Sequence, residues 1–472
     1  FQLKFFIDLG LIFKNKILKY YLNQNLTFIQ NNKKSNLIRN IDTECDHLCD
    51  YINNVVLLSS ELLFVLLLCV VLYLLDPTIF IFTLLFIVAL FSFYIILIKK
   101  RLTIIGGKRK TLNEKILESL QQIFNGFIEI KIFKKEDYFI SDFKKKASEY
   151  KYLFLTKKLF NLFPKYITEL FIIIIFFSII YYQTQNLDSN VENLIFHLST
   201  YLIIVIRMLP SANKILSLYQ ELKFLKKTVL NISDLYLLNP KDSFDTNNNS
   251  SEYYINDWKK IKLENFSFDY DKKKIFEHAN IEINKGDIIY LEGESGKGKT
   301  TFLNILIGLL NIKNGKITID DKTVQNCNNI KFSYVPQKPF LLNESILSNI
   351  TINDERIDKQ KLDKILNITG IDKNNFKIDI INENIGDNAS KLSGGQAQRI
   401  SIARSLYYDA EFLIFDEATN ALDANSENKI IQNLISNYKN LTIIICSHNK
   451  YMSNLCKRSL SIKEKNIIEL NN

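Results

Sequence analysis

Cysteine is sparse: six in 472 residues, scattered without a repeated spacing. That excludes a disulfide-stapled scaffold and suits a reducing compartment. Cys45 and Cys49 flank His47 at one helical turn, but no second ligand pair follows, so no metal site is expected there. Glycine is also scarce, and ten of its fourteen positions follow residue 285. Long apolar runs are rare after about residue 210. The near-zero mean hydropathy is therefore an average of a membrane part and a soluble part. No segment reads as a signal peptide. The sequence starts at Phe1 and not Met, so the true N-terminus is expected to be missing.

The net charge is +10, but the lysine excess sits beside and between the apolar runs, at residues 98–109 and 143–158. Cytoplasmic loops of membrane proteins have this composition, so a nucleic-acid partner is not expected. A spanning helix needs about 20 apolar residues. Residues 55–75, 78–98, 166–182 and 191–209 meet that length or approach it. Asp76-Pro77 and the lysine-free stretch 183–190 make short outer turns, while the basic stretches 14–50 and 99–160 read as cytoplasmic helices. Residues 1–13 read as the inner end of an earlier span. Ionisable groups inside spans are functional candidates, here Glu61, Glu169, His197 and Arg207. Glu61 and Glu169 lie near the cytoplasmic ends of their helices, where water is close. Arg207 lies deeper, and either binds an anionic group of a substrate or snorkels to the interface.

Residues 239–251 are polar and rich in turn formers, a domain boundary. Beyond them short β-type runs alternate with helical ones: strands are expected at 261–268, 281–283, 288–291, 316–319, 332–335, 412–415 and 442–446. This pattern predicts an α/β nucleotide-binding fold with added antiparallel strands. After the strand at 288–291 comes Gly293-Glu294-Ser295-Gly296-Lys297-Gly298-Lys299-Thr300, a G-x-x-x-x-G-K-[ST] loop in its strand–loop–helix context, with Thr301 following. Glycines let backbone N–H groups curl around phosphate oxygens, and the helix N-terminus adds its dipole. Lys299 supplies charge to the β- and γ-phosphates of ATP, and the Thr300 hydroxyl ligates Mg²⁺. The apolar strand Phe412-Leu-Ile-Phe ends in Asp416-Glu417. Asp416 is expected on the Mg²⁺ side and Glu417 as general base toward water.

Leu392-Ser393-Gly394-Gly395-Gln396-Ala-Gln-Arg399 resembles the signature of ABC ATPases, placed about 24 residues before the paired acids. The resemblance implies that Ser393, Gly394, Gly395 and Gln396 meet the γ-phosphate held by a partner's P-loop, in a head-to-tail dimer. Tyr270 resembles the family's adenine-stacking aromatic and Gln337 its Q-loop glutamine, which contacts Mg²⁺ and couples to the membrane domain. Ala421-Leu422-Asp423 resembles the D-loop, and His448 the histidine that senses γ-phosphate. Lys297, Ala397 and Asn420 depart from the usual residues without removing a needed group. With Glu417 and His448 both present, this subunit is expected to hydrolyse ATP.

Spans fused before the cassette resemble the exporter class. So do residues 339–350 after Gln337, and Ile385-Gly386-Asp387, which resembles the exporter X-loop. The expected architecture is an all-α transmembrane domain of exporter type (1–238, partial), a linker (239–256) and an α/β P-loop domain with an antiparallel β subdomain (257–472). Exporter subunits have six spans, so the first and most of the second are expected to be missing. Coupling helices are expected near 21–28 and 121–127. Pieces at 35–41, 126–133 and 207–211 resemble lipid-linked oligosaccharide flippases of bacteria, which would put Arg207 against a lipid pyrophosphate. A lipid A, drug or peptide exporter is the alternative, and a non-transport ABC ATPase a distant one. The implied partners are a second half-transporter, identical or different, and the bilayer. The implied location is the bacterial inner membrane with the cassette in the cytoplasm.

Overall fold

The computed structural model describes residues 2–75, 77–185, 191–237, 258–270, 273–294, 296–354, 356–372, 376, 379, 383–386, 389–418, 421–447 and 449–470. Within helices at 78–100 and 161–205, most side chains fall outside the description. The chain divides into two units, Phe1–Asp245 and Thr246–Asn472. The expected linker at 239–256 lies outside the described residues.

The first unit is helical. It comprises α1 (Gln2–Leu22), α2 (Leu26–Asn31), α3 (Lys34–Arg39), α4 (Cys45–Leu75), α5 (Pro77–Asn125), α6 (Phe127–Ile132), α7 (Glu136–Gln185) and α8 (Val191–Leu237). All four expected spans lie within α4, α5, α7 and α8. Among the described residues, Lys34–Leu74 is one stretch long and apolar enough to cross a membrane. Asp76 lies outside the description, and Pro77 opens α5, where its missing N–H costs nothing. The two short helices expected near 21–28 and 121–127 form further along, as α2 and α6. Tyr21 and Leu22 still belong to α1, and residues 121–125 to α5. Nothing breaks α5 before Asn125, and Gly126 (φ −99°) is the first residue to leave the helix. At the start of α2 the Asn25 side chain accepts from the Phe28 N–H, and this cap sets its first turn.

Helix α8 packs against α4, α5 and α7. It runs antiparallel to α4: Lys214 pairs with Glu61 at 2.7 Å, and the Thr228 hydroxyl donates to Glu44 at 2.6 Å. A single π-turn, Asn40–Glu44, joins α3 to α4. It aims Glu44 at two cations, Arg39 (3.7 Å) and Arg109 (3.6 Å), all three buried. Loss of Glu44 from this cluster should be costly, because two buried guanidiniums would lose a carboxylate. Against α5 the approach is closer still. A Cβ on Gly106 would sit 2.2 Å from the Phe224 carbonyl oxygen, which is backbone and cannot swing aside. Gly106→Ala should therefore push α5 from α8 and destabilise the unit by about 1–3 kcal/mol, read as a lowered Tm in detergent.

The second unit holds two sheets. An antiparallel sheet has the order β2 (Lys273–Asn284), β1 (Lys260–Tyr270), β4 (Asn314–Ile319), β5 (Lys322–Val324). The other has the order β10 (Asn466–Leu470), β9 (Arg458–Lys463), β3 (Ile288–Glu292), β8 (Thr442–Cys446), β7 (Phe412–Asp416), β6 (Phe332–Val335), parallel from β9 to β6. Among the described residues the unit also holds helices α9 (Lys299–Leu306), α10 (Ile346–Thr351), α11 (Lys359–Thr369), α12 (Gly394–Tyr407) and α13 (Ala424–Asn437), and a 3-10 turn at Lys450–Leu455. Strands β7 and β8 are buried at every residue, hence their unbroken apolar sequences. The core beside them joins Ile400, Ile402 and Leu406 of α12 to Leu413, Phe415, Ile443 and Ile445. An α/β P-loop unit with an antiparallel subdomain thus follows a helical bundle. Strands β5, β9 and β10 have no counterpart in the sequence reading, and β2 begins eight residues before the expected 281.

Candidate ATPase site

In a parallel sheet, ligands bind outside the carboxyl ends of the strands. Four loops gather at that edge: 293–298 after β3, Gln337 after β6, Glu417 after β7 and Ser447 after β8. The register places Asp416 opposite Cys446, so β7 and β8 end level with each other.

The loop after β3 turns on two glycines with positive φ, Gly296 (79°) and Gly298 (112°). At Gly298 a side chain is excluded twice over: a Cβ would also lie 2.7 Å from Ile275. A Cβ added at Gly296 would meet none of the described residues within 4 Å, so the loop rim is open on that side. Lys299 begins α9, is buried, and its ammonium donates to the Gly293 carbonyl at 2.6 Å. Thr300 is exposed on the first turn of α9 and Thr301 half-buried. Lys297, one of the departures from the family pattern, pairs with Glu294 at 3.4 Å on the surface. Ser295 lies outside the described residues.

Glu417 adopts a left-handed backbone (φ 53°), strained for a residue with a Cβ. Its N–H donates to the Cys446 carbonyl at 2.9 Å, which fixes the turn. The carboxylate lies 3.6 Å from the Lys299 ammonium and accepts from the Gln337 carboxamide at 3.0 Å. Three residues 80 or more positions apart in two of their pairings, Lys299, Gln337 and Glu417, thus meet at one point.

Asp416 is buried and accepts from the Tyr334 hydroxyl at 2.7 Å. Burial, and after it the Asp416 charge, push the Tyr334 hydroxyl pKa well up, so it remains a neutral donor. Sequence reasoning missed Tyr334, because a tyrosine inside a short apolar strand looks like core. The donor set of Thr300 hydroxyl, Asp416 carboxylate and Gln337 carboxamide is all oxygen-bearing, which suits Mg²⁺. Under the site Cys446 is fully buried, and desolvation holds its thiol far above the ordinary range, leaving it inert.

Tyr270 ends β1 with its ring edge-on to Phe268 at 5.0 Å. Ser393 caps α12 through a capping box: it accepts from the Gln396 N–H, and the Gln396 side chain accepts from the Ser393 N–H. Asp423 caps α13 by accepting from the Ser426 N–H at 2.9 Å. That bond holds the Asp423 carboxyl below the usual aspartate range, so the cap outlasts mild acid and fails only as pH falls through the lowered value. Arg399 donates to the Thr369 carbonyl (2.7 Å) and the Ser426 hydroxyl (2.8 Å), tying α11, α12 and α13 together. His448 and Asp387 lie outside the described residues. In the other unit, Arg207 is exposed on α8.

Family models match both units. The ABC transporter model covers residues 276–420, and the ABC transporter transmembrane region covers residues 12–208. This is an ABC transporter chain, with the transmembrane region ahead of the ATPase part. The chain is 33% identical over 218 residues to an ATP-dependent lipid A-core flippase of Desulfotalea psychrophila, a match covering 44% of this chain and 37% of that protein. It is 34% identical over 196 residues to a putative export ATP-binding/permease protein of Rickettsia typhi, covering 40% and 34%. The chain thus matches about a third of the length of these curated relatives. Its fold is similar to that of a bacterial Atm1-family ABC exporter with ATP bound, at TM-score 0.84 and 18% identity, over 99% of this chain and 82% of that one.

Proposed function

We propose that this chain is one half of an ATP-driven exporter that moves an amphipathic, anionic lipid across the bacterial inner membrane. One observation carries the hydrolytic part: Glu417 is held in a strained turn between Lys299 and Gln337, at the mouth of the phosphate loop.

ATP binds with its phosphates on the loop 293–298 and the first turn of α9, and its adenine on Tyr270. Lys299 leaves the Gly293 carbonyl for the β- and γ-phosphate oxygens, because an ionised acceptor attracts the ammonium more strongly than an uncharged carbonyl does. Mg²⁺, when bound, neutralises charge on those oxygens. Thr300, Asp416 and Gln337 would hold it, with Tyr334 keeping Asp416 oriented. Glu417 accepts a proton from water, and the water oxygen attacks the γ-phosphorus. The bond to the β–γ bridging oxygen breaks, and ADP and phosphate leave. His448 senses the γ-phosphate. Ser393, Gly394, Gly395 and Gln396 complete the site of a second subunit, with Asp423 at the D-loop between the two. A dimer of cassettes is therefore the working unit, identical chains being the simpler assembly.

For the cargo, the short resemblances at 35–41, 126–133 and 207–211 favour a lipid-linked oligosaccharide. An exposed arginine on α8 suits a pyrophosphate headgroup. The likeness to a lipid A-core flippase favours the alternative, lipid A; both cargoes are lipids bearing phosphate. The basic loops favour a cytoplasmic cassette. ATPase activity of the reconstituted full-length protein is the test: stimulation by lipid-linked glycan over lipid A or peptides supports the first cargo, and equal weak responses to all remove it.

A further inference from the structure

The signature segment holds a residue that none of the assigned roles uses. Gln398, on the second turn of α12, is 2% exposed, and both ends of its carboxamide are engaged. Its Nε2 donates to the backbone carbonyl of Gln337 at 3.4 Å. Its Oε1 accepts from the backbone N–H of Ala421 at 3.3 Å. The first group belongs to the Q-loop and the second to the D-loop, so one side chain spans two loops separated by 84 residues of sequence.

The packing around Ala421 shows why this link is stiff. A Cβ on Gly395 would lie 3.0 Å from the Ala421 carbonyl oxygen and 3.4 Å from Leu422, and one on Gly394 would lie 3.3 Å from the Ala421 Cβ. The first turn of α12 thus bears directly on the D-loop backbone, and Gln398 grips the same residue one turn later. Arg399 adds a third hold, through Ser426, on the first turn of α13. Glutamine is the side chain this needs: it is long enough to reach both loops and carries a donor and an acceptor side by side. Glutamate has no donor when ionised, and methionine has the length with neither group. Both bonds are longer than the usual 2.9–3.0 Å mode.

We infer that Gln398 is a positioning residue that clasps the Q-loop to the D-loop, so that the glutamine contacting Glu417 and the loop meeting the second subunit move as one. The inference rests on the ATPase reading above. Its function is to hold Gln337 where its carboxamide reaches Glu417, and to set Ala421-Leu422-Asp423 at the same time. Loss of the clasp leaves the phosphate loop intact and misplaces the group that orients the base. A misplacement of this kind can lower kcat by roughly 100-fold.

The test uses the full-length protein in detergent or lipid with two variants. Gln398→Met keeps the volume and removes both polar groups. Gln398→Asn keeps a carboxamide one methylene shorter, which reaches at most one partner. The expected kinetic result is a fall in kcat with KM for ATP unchanged, larger in Met than in Asn. In a cycle with Gln337→Ala the effects should be non-additive, because the clasp acts on Glu417 through the carboxamide that Gln337→Ala removes. Hydrogen exchange followed by mass spectrometry gives a readout that needs no hydrolysis: the Ala421 amide should exchange faster in Gln398→Met, while β3 and α9 peptides keep wild-type protection. Unchanged Ala421 exchange, additive effects with Gln337→Ala, or equal loss of protection throughout the cassette would each overturn the clasp. A wild-type protein without ATP turnover would instead sink the ATPase reading, and the Ala421 exchange would still decide whether the clasp exists.

Discussion

Glu417→Gln is expected to stop ATP turnover while leaving ATP binding intact. The carboxylate ends β7 in a left-handed turn, 3.6 Å from Lys299 and bonded to Gln337 at 3.0 Å. The carboxamide of the variant keeps the shape and an acceptor for Gln337, so the turn and its neighbours persist. What disappears is the proton acceptor. General-base catalysis is worth about 10²–10⁴ in rate, so kcat should fall at least into that range. The negative charge beside Lys299 also disappears, which leaves the ammonium freer to face phosphate. ATP affinity should therefore be equal to the wild type's or tighter. Phosphate release and binding of a fluorescent ATP analogue measure the two separately. Full hydrolysis in the variant would place the base elsewhere.

Lys299→Ala should fail earlier, at binding. The ammonium is buried at the start of α9 and bonded to the Gly293 carbonyl, so it already stands at the loop. A hydrogen bond to a charged group is worth about 1.5–3 kcal/mol, so its loss should weaken ATP binding by roughly 10- to 100-fold. Turnover should fall with it. Because Lys299 also balances Glu417, the variant leaves that carboxylate in a half-buried place without its cation. The Tm should then fall and recover in the double variant Lys299→Ala/Glu417→Gln, as expected of coupled neighbours. A fold lost equally in both would assign Lys299 to packing alone. Together the two single variants separate a residue that binds from one that reacts.

Which parts of this molecule were legible from sequence follows from the physics of each element. The strands β7 and β8 were readable, because buried parallel strands carry continuous apolar runs. The phosphate loop was readable, because Gly296 and Gly298 need positive φ and leave a fixed spacing. The hairpin β9–β10 was not. Its turn places Glu464 and Lys465 at positive φ (47° and 64°), where glycine or asparagine is the usual signal. The hairpin β4–β5 hides its turn in Asp320 and Asp321 in the same way. The short helices α2 and α6 were expected several residues early, because α1 and α5 continue to Leu22 and Asn125 without a stop signal. Tyr334 and Gln398 gave no sequence signal of a separate role, since each acts through a buried partner distant in the chain.

ATP hydrolysis in this cassette is proposed to drive a phosphate-bearing lipid across the membrane. This is tested most directly by the full-length protein in liposomes carrying a fluorescent lipid-linked oligosaccharide, with fluorescence quenched by a reductant outside. Translocation is expected with Mg²⁺ and ATP, none with Glu417→Gln, and none without nucleotide. Translocation at the same rate in Glu417→Gln liposomes, or steady ATP hydrolysis that moves neither this lipid nor lipid A, would contradict it.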